Sequence, residues 1–317
     1  MAEIVKKATR ESFGDALVEL GKTNPDIVVL VADLADATKV ENFGKAYPDR
    51  FIECGIAEGN MVGVAAGLAS CGKIPFATSF AMFSAGRAFE QVRNSVGYPH
   101  LNVKIVGSHA GISVGEDGAT HQCCEDIALM RTIPGMVVLN PADHYEMKAA
   151  VKAAVEHNGP VYIRLGRLAV ESCNNNDDYS FEIGKGITLR EGADITVIAT
   201  GLMVGEAIKA VDSLAAQGIN ARLIDMHTVK PLDQELVIKA AKETKHIVTV
   251  EEHNIIGGLG EAVAACLCEN CPTPLTRMGV KDVYGHSGPA LDLLKEFGLC
   301  AEGIEATVKD VLNGNHP

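Results

Sequence analysis

Residues 53–70 read ECGIAEGNMVGVAAGLAS. This segment leaves a short apolar run, RFIECG (50–55), and enters a stretch of small and apolar residues that is typical of a tightly packed helix. Glu58 is the only charged residue of that helical stretch, and it stands where the helix would begin. A strand followed at once by a buried helix predicts an α/β fold, and the lone carboxylate marks Glu58 as a candidate functional residue.

Strand-like runs alternate with helical patterns through residues 1–170. The runs are short and rich in β-branched residues, and they cover 27–33, 50–55, 74–78, 102–109 and 135–141. The helical patterns cover 10–22, 58–71, 86–96 and 143–157. Buried strands that alternate with helices predict a parallel sheet with helices on both faces. In such sheets ligands gather beyond the carboxyl ends of the strands, so the residues that follow each strand are the first candidates for a site.

A polar, turn-forming stretch, ESCNNNDDYSF (171–181), interrupts this pattern and predicts a linker over 171–184. A second series of elements follows it. Its strand-like runs cover 194–201, 220–227, 246–253 and 275–282, and its helical patterns cover 203–217, 232–243 and 258–269. The sequence therefore predicts two α/β domains, a first over 1–170 and a smaller second over 185–317.

Composition limits the classes of function. The 317 residues are 47% hydrophobic, which is enough for two cores, and the net charge of −13 argues against nucleic acid or an anionic membrane as a partner. No signal-peptide pattern and no apolar run of membrane-spanning length is present. The nine cysteines are an odd number without a secretory signal, which predicts a reduced, cytoplasmic protein. Any anionic ligand must be held by a local basic cluster.

One glycine-rich loop concentrates polar side chains. The segment NVKIVGSHAGISVGEDGATHQCCED (102–126) runs off a strand and carries His109, His121, Glu116 and Asp117. Glycines let a backbone approach a ligand closely, and histidines exchange protons or bind oxygens near neutral pH. Loops on rigid sheets are where sites collect, so this loop is a candidate site; a solvated loop with incidental histidines is the alternative.

Two other strand ends carry candidate ligands. Phe80 and Phe83 follow the strand at 74–78, where they offer a flat apolar platform for a heterocycle or, alternatively, ordinary core packing. The strand ending YIRLGR carries Arg164 and Arg167. Arginine suits bidentate binding of phosphate or carboxylate, although each arginine alone is often a surface charge.

The second domain carries weaker signals. EEHNIIGGLGEA resembles a nucleotide-binding turn without the full glycine spacing, so a tight turn before a helix is the simpler interpretation. Cys266, Cys268 and Cys271 lack the four-ligand spacing of a structural zinc site and are interpreted as small buried hydrophobes. No metal site is predicted in this chain.

Taken together, ATRESFGDAL, VADL, GIAEGNMVGVAAGLA, FATSFAMF, GEDGATHQ and LGR follow, in order, the C-terminal part of transketolase. The sequence is most similar to split transketolases, in which this part is a separate subunit. The resemblance implies the pyrimidine-binding domain of thiamine-diphosphate enzymes over 1–170 and the smaller α/β transketolase C-terminal domain over 185–317. Two positions depart from the family pattern: Gly59 stands where a larger residue such as Gln is expected, and Cys123 and Cys124 follow Gln122.

The resemblance assigns a cofactor, thiamine diphosphate, and residues that contact it. In the family, the Glu of the I-A-E motif contacts the ring nitrogen of the cofactor's aminopyrimidine, which implies this role for Glu58. A carboxyl group in an apolar environment has a raised pKa, which favours a protonated form that shares its proton with the ring. Phe83, with Phe80 nearby, resembles the aromatic pocket for that ring, and Asp33 of VADL is included among the cofactor-binding residues.

The resemblance also implies substrate ligands. His109 and His121 would bind the sugar oxygens and assist proton transfers, and Asp117 would bind a sugar hydroxyl. The implied ligands of the substrate phosphate are all arginines: Arg10 and Arg167, with Arg164 assisting.

The family's motif for diphosphate and metal, Gly-Asp-Gly followed by Asn, is absent from the sequence. The expected enzyme is therefore a pair of subunits in an α2β2 assembly, in which an N-terminal transketolase subunit holds Mg²⁺ and the diphosphate. The expected reaction moves a two-carbon ketol unit from a ketose phosphate to an aldose phosphate. The alternatives are half of a deoxyxylulose-phosphate synthase-like enzyme, a 2-oxoacid dehydrogenase beta subunit, a transketolase for modified sugars such as sulfosugars, or a catalytically silent regulatory subunit.

Overall fold

The computed structural model describes residues 5–173 and 179–315. The middle of the expected linker, residues 174–178, lies outside this description. The strands, in chain order, are β1 (Lys6–Ala8), β2 (Ile27–Val31), β3 (Phe51–Glu53), β4 (Ile74–Phe80), β5 (Lys104–Ser108), β6 (Val137–Leu139), β7 (Val161–Arg164), β8 (Ala169–Glu171), β9 (Ile187–Arg190), β10 (Ile195–Ala199), β11 (Ala221–Asp225), β12 (Thr228–Lys230), β13 (Ile247–Asn254) and β14 (Leu275–Val280).

The helices lie between these strands. They are α1 (Thr9–Gly21), α2 (Glu41–Ala46), α3 (Glu58–Ser70), α4 (Phe89–Gln91), α5 (Asp126–Arg131), α6 (His144–Glu156), α7 (Met203–Ala216), α8 (Gln234–Thr244), α9 (Leu259–Asn270), α10 (Ala290–Glu296) and α11 (Ala301–Leu312). Two π-helical turns, Met82–Arg87 and Val92–Gly97, flank α4.

The first sheet has seven strands in the order β12-β6-β7-β5-β4-β2-β3. Every neighbouring pair is parallel except β12 with β6, so the prediction of a parallel sheet is confirmed. Successive residues of β2 point to opposite faces, as expected for a strand. Val29 packs in the same core as Phe13 of α1, whereas Leu30 packs with Met61 of α3. Both faces of the sheet are therefore covered by helices.

The second sheet has five strands in the order β14-β13-β10-β11-β9, all parallel except β9. Val197 of β10 packs with α7 and α11, and its neighbour Ile198 packs with α8 and α9. The α/β class predicted from the sequence is confirmed in this half as well. The predicted domain boundaries stay a prediction, because β12 comes from the second half of the chain yet completes the first sheet.

A short ribbon places the beginning of the chain beside the end of β7. β1 pairs antiparallel with β8, and the Gly166 N–H donates to Thr9 Oγ1 at 2.9 Å. These strands were not predicted because three residues are too few to show a period. The ribbon brings α1, which carries Arg10, next to the loop that carries Arg167.

Within the described ranges, no helix combines the length and apolar character that crossing a membrane requires.

Candidate active site

Parallel strands gather most of the predicted residues at one edge of the first sheet. β4 ends at Phe80, β5 ends at Ser108 immediately before His109, and these two strands are neighbours in the sheet. β7, on the other side of β5, runs into the segment that carries Arg167. This is the carboxyl edge at which ligands of open α/β folds bind.

Two phenylalanines and two histidines form one aromatic cluster at this edge. The Phe80 and Phe83 rings are 6.1 Å apart between centroids and stacked at 20°. His109 lies 4.1 Å from Phe80, and His121 meets Phe83 edge-on at 5.5 Å. The structure thus brings together four side chains that the sequence analysis placed on two separate segments.

Glu58 begins α3, and its side chain is only 2% exposed. Arg87 Nη1 lies 3.1 Å from Glu58 Oε2 and 3.3 Å from Oε1, and the Arg87 guanidinium also lies over the Phe83 ring at 4.6 Å. The expectation of an apolar environment for Glu58 is wrong in this respect, because a cation contacts the buried carboxylate. The positive end of the α3 dipole also favours an anion at this position.

The Glu58–Arg87–Phe83 arrangement shows what kind of group the site accepts. The guanidinium is a planar cation that stacks on an aromatic ring and donates hydrogen bonds to a buried carboxylate. A planar nitrogen heterocycle that can be protonated has the same requirements, so the residues present fit an aminopyrimidine. A ring that stacks on Phe83 and bonds to Glu58 has to displace Arg87. An open depression of about 810 Å³ adjoins this place and is lined in part by Phe83, Arg87 and Tyr284.

Arg10 and Arg167 form a basic region beside the aromatic cluster. Arg10 Nη1 donates to the Ala37 carbonyl oxygen at 2.8 Å and lies 3.4 Å from His109 Nε2. Arg10 Nε is buried and has no hydrogen-bond partner among the described residues. Burial, together with the charge of Arg167, lowers the pKa of Arg10, although Glu11 opposes this shift. The buried Nε–H of Arg10 thus lacks an acceptor, and a second cation, Arg167, lies nearby. An anionic ligand would supply both an acceptor and a negative charge.

His109 is held in an unusual state. Its φ of 56° is in the left-handed region, which is uncommon for residues other than glycine. Burial, reinforced by the charges of Arg10 and Arg167, lowers the pKa of His109 to about 3. Because Arg10 can only donate, Nε2 of the neutral ring is the acceptor and Nδ1–H donates to Ser108 Oγ, 2.9 Å away. His109 is therefore a neutral hydrogen-bonding group at physiological pH.

The remaining predicted residues lie around this cluster. Arg167 Nη1 donates to the Val114 carbonyl oxygen and to Glu116 Oε2, the latter at 2.9 Å. Asp117 is exposed on the glycine-rich loop. Asp33 follows β2 with a φ of 56°, and its own N–H donates to Glu53 Oε1 at 2.8 Å. The roles expected for Asp117 and Asp33 stay predictions.

Arg164 lies in the interior of the protein, and its expected assistance in binding the substrate phosphate stays a prediction. Arg164 is buried, and its Nε donates to Asp126 Oδ2 at 2.8 Å. Its Nη2 donates to the Glu252 carbonyl oxygen at 2.8 Å, and Tyr162 OH donates to the same Asp126 oxygen. Arg164 thus belongs to an internal network between the two halves of the chain, which the strand-end pattern LGR alone did not reveal.

The two departures from the family pattern lie next to the cluster. A Cβ on Gly59 would lie 3.1 Å from Gln91 Oε1, so Gln91 fills the space that a larger residue 59 would take. Cys123 is buried against Ala81 and Ala110, and burial raises its pKa well above the usual value. Cys123 is thus a packing residue in this structure.

Sequence reasoning missed Arg87, the side chain that joins Glu58 to Phe83. Arg87 was read only as part of a helical pattern. The signal was its position one helical turn after Phe83, on a segment that also faces the start of α3.

The second half of the chain contributes no comparable cluster among the residues that the structure describes. No group of three or more His, Cys, Asp or Glu side chains there or elsewhere in those ranges could hold a metal ion. In the segment EEHNIIGGLGEA, the N–H groups of Leu259 and Gly260 donate to the Glu251 carboxylate at 2.7 and 2.8 Å. These helix-start donors are therefore satisfied from within the protein.

Comparison with known proteins agrees with this architecture. The family model "Transketolase, pyrimidine binding domain" matches residues 5–172, and the model "Transketolase, C-terminal domain" matches residues 184–304. The chain is 50% identical over 308 residues to a Methanocaldococcus jannaschii protein named "Putative transketolase C-terminal section", with 96% of each chain covered. It is 48% identical over 303 residues to the 6-deoxy-6-sulfo-D-fructose transketolase subunit SqwH of Clostridium sp. (strain MSTE9), with 95% of this chain and 94% of that protein covered.

A solved structure described as "Split gene transketolase, inactive beta4 tetramer" is 52% identical to this chain. It superposes with a TM-score of 0.90 and covers 97% of this chain and 99% of its own.

Proposed function

This chain belongs to the transketolase family, and from that premise we propose that it is one subunit of a two-subunit, thiamine-diphosphate-dependent transketolase. The proposed reaction transfers a two-carbon ketol unit from a ketose phosphate to an aldose phosphate. The observation that carries the proposal is the pairing of the buried Glu58 with a planar cation that is stacked on Phe83.

Glu58, Phe80 and Phe83 would hold the aminopyrimidine of the cofactor. When bound, thiamine diphosphate supplies a carbon nucleophile and an electron sink for cleaving and forming C–C bonds. Phe83 would provide the stacking surface, with Phe80 behind it. Glu58 would hold a proton at a ring nitrogen, and its burial at the start of α3 would fix the direction of that hydrogen bond.

The basic and histidine groups would orient the sugar. Arg10, with its unsatisfied Nε, and Arg167 would bind the substrate phosphate. Neutral His109 would accept or donate a hydrogen bond at a sugar oxygen without adding a charge. His121, which contacts Phe83, would assist proton transfer, and Asp117 would bind a sugar hydroxyl.

We further propose that a separate N-terminal subunit holds Mg²⁺ and the cofactor diphosphate, and that two copies of each chain form a heterotetramer. The similarity over nearly full length to a protein named as a transketolase C-terminal section supports a partner chain. The description of the 52% identical neighbour as an inactive β4 tetramer supports self-association. We also propose that the enzyme acts in the cytoplasm, in pentose phosphate and carbohydrate metabolism, in keeping with nine cysteines that form no disulfide in the described part of the chain.

A second candidate substrate class is a modified sugar. The similarity to a 6-deoxy-6-sulfo-D-fructose transketolase subunit favours it, and a sulfonate is an anion that Arg10 and Arg167 could bind as they would a phosphate. Comparing kcat/KM for fructose 6-phosphate and for 6-deoxy-6-sulfofructose as donors separates the two. A preference for the sulfosugar of tenfold or more (about 1.4 kcal/mol) would replace the ketose phosphate in our proposal.

The test of the proposed function is reconstitution. The tagged chain is used to capture its partner from an extract of the source cells, and thiamine diphosphate binding is measured by calorimetry for each chain and for the pair. We expect a partner that contains Gly-Asp-Gly followed by Asn, and tight binding with ketol transfer by the pair alone. Tight Mg²⁺-dependent binding by this chain without a partner, or a pair that is active on pyruvate rather than on a ketose, would overturn the proposal.

A further inference from the structure

Two adjacent glutamates of β13, Glu251 and Glu252, are buried and point to opposite sides of the strand. The Glu251 carboxylate contacts its own half of the chain, where it accepts hydrogen bonds from the first N–H groups of α9. The Glu252 side chain points to the other side of β13 and extends from the second sheet toward the first half of the chain. The two side chains have the same chemistry and similar burial, but they act on different parts of the molecule.

Glu252 reaches the glycine-rich loop that carries His109 and His121. Its Oε1 accepts the Ser113 N–H at 2.6 Å. It also lies against Gly111, where an added Cβ would come within 2.3 Å of Oε1. Gly111 has a φ of 82° and is two residues from His109, so the carboxylate contacts the turn that immediately follows the histidine.

Other contacts from the second half support the same loop. The Asn254 N–H donates to the Cys124 carbonyl oxygen at 2.7 Å. Gln122 Nε2 donates to the Ile112 carbonyl oxygen within the loop, and also to the His286 carbonyl oxygen at 3.0 Å. Among these contacts, Glu252 supplies the one buried charged side chain that meets the loop backbone directly.

We propose that Glu252, from the second α/β unit, is a positioning residue for the reaction of the first: it fixes the 111–113 turn and through it the ring of His109. This inference rests on the proposed function in so far as His109 touches the substrate. His109 needs such support because its left-handed backbone is costly and persists only when surrounding contacts hold it. The backbone next to His109 also makes two ordinary hydrogen bonds, from the Ala110 N–H to the Leu165 carbonyl oxygen and from the Gly111 N–H to the Cys123 carbonyl oxygen.

The network around Arg164 accounts for a carboxylate at this buried position. Burial raises the pKa of Glu252, whereas Arg164 and the hydrogen bond from Ser113 act in the opposite direction. Arg164 is in turn paired with Asp126, so the internal ion pair described above stands beside Glu252. Arg164 thereby links Asp126 of the first half to Glu252 of the second.

The first experiment uses the full chain alone and needs no enzymatic activity. The pKa of His109 is measured by NMR of the histidine rings, with His109→Gln to assign the signal, in wild type, Glu252→Ala, Glu252→Gln and the matched control Glu251→Ala. Arg10, Arg167, His121 and Lys39 are the charged or titratable groups that lower this pKa together with burial. Loosening the turn lets water reach the ring and weakens those contacts.

We expect Glu252→Ala to raise the His109 pKa by about one pH unit or more. Glu252→Gln retains an acceptor oxygen for Ser113 and should remain close to wild type, as should Glu251→Ala. If Glu252→Ala does not fold, Glu252→Asp withdraws the oxygen by about 1.5 Å and should shift the pKa in the same direction. An unchanged His109 pKa in the Glu252 variants, or an equal shift in Glu251→Ala, would overturn the proposal.

The second experiment uses the reconstituted pair of subunits. Glu252→Ala should lower kcat/KM for the sugar donor by ~10–100-fold, because small displacements of a residue that orients the substrate lower the reaction rate strongly. The cofactor Kd should stay within about threefold of wild type, since Glu58 and Phe83 make no contact with Glu252. Rescue by Glu252→Gln is expected. Normal kinetics in Glu252→Ala would contradict the proposed role of Glu252. If the pair that contains the wild-type chain is itself inactive, the proposed function is contradicted, and the NMR experiment alone then tests the role of Glu252.

Discussion

Replacing Arg87 by Met should lower the free energy of unfolding of the isolated chain and raise the affinity of the assembled enzyme for the cofactor. In the isolated chain, the change leaves the Glu58 carboxylate buried without its cation. An exposed ion pair is worth about 0–1 kcal/mol, and a buried acceptor left without its partner costs ~1–3 kcal/mol. Because Arg87 is itself 54% exposed, we expect a loss of about 1–2 kcal/mol, with Met keeping a contact to Phe83.

The same change should favour the cofactor. A ring that stacks on Phe83 and bonds to Glu58 must first break the Arg87 contacts, and that cost is subtracted from its binding free energy. Removing 1–2 kcal/mol of competition corresponds to an affinity increase of about 5- to 30-fold.

The assays are urea unfolding of the isolated chain and calorimetric titration of thiamine diphosphate into the reconstituted pair. Arg93→Met is the matched control, because Arg93 is exposed on the next π-helical turn and its side chain bonds only to Asn94 in the described contacts. Arg93→Met should leave both quantities unchanged. Weaker cofactor binding in Arg87→Met would mean that Arg87 is a ligand of the cofactor complex, and the reasoning that it occupies the ring's place would be refuted.

Three further outcomes are expected. Burial raises the pKa of Glu146 to about 7 and that of Asp225 above its usual range, so the folded state binds more protons than the unfolded state. The free energy of unfolding should therefore fall as the pH rises from about 4 to 7, and Asp225→Asn should flatten that slope in urea titrations at several pH values. Arg10→Met should raise KM for a phosphorylated ketose by ~10–100-fold and leave KM for an unphosphorylated donor nearly unchanged, a difference that steady-state kinetics with both donors will detect. Gly111→Ala should destabilise the chain by ~2–4 kcal/mol in urea unfolding, because a φ of 82° and a Cβ 2.3 Å from the Glu252 carboxylate oxygen both oppose a side chain there.

The sequence predicted the main strands and helices because their signals are local. β2, β5 and β10 are short, β-branched runs whose every residue is buried, and the helices between them show their own periodicity. Phe80 and His109 could be predicted to lie together because parallel strands end at one edge of a sheet.

Features that depend on distant contacts could not be predicted. β12 is three residues long and pairs with β6, which lies about 90 positions earlier in the chain. Arg164 looked like Arg167 in sequence, two basic residues at one strand end, and only the tertiary structure shows one buried against Asp126 and the other near the surface. The contact of Arg87 with Glu58 was not predicted for the same reason, because the start of α3 meets the π-helical turn only in the folded chain.

The most direct test of the account is ketol transfer by the reconstituted pair that carries Glu58→Gln. Glutamine preserves the size of the side chain but cannot share a proton with a ring nitrogen as a carboxyl group does. We predict a fall in kcat of ~10²–10⁴-fold, while Glu90→Gln, an exposed acid on the neighbouring segment, remains at the wild-type rate. Turnover by Glu58→Gln at the wild-type rate, with the cofactor bound, would contradict the claim that this buried carboxylate acts on the cofactor.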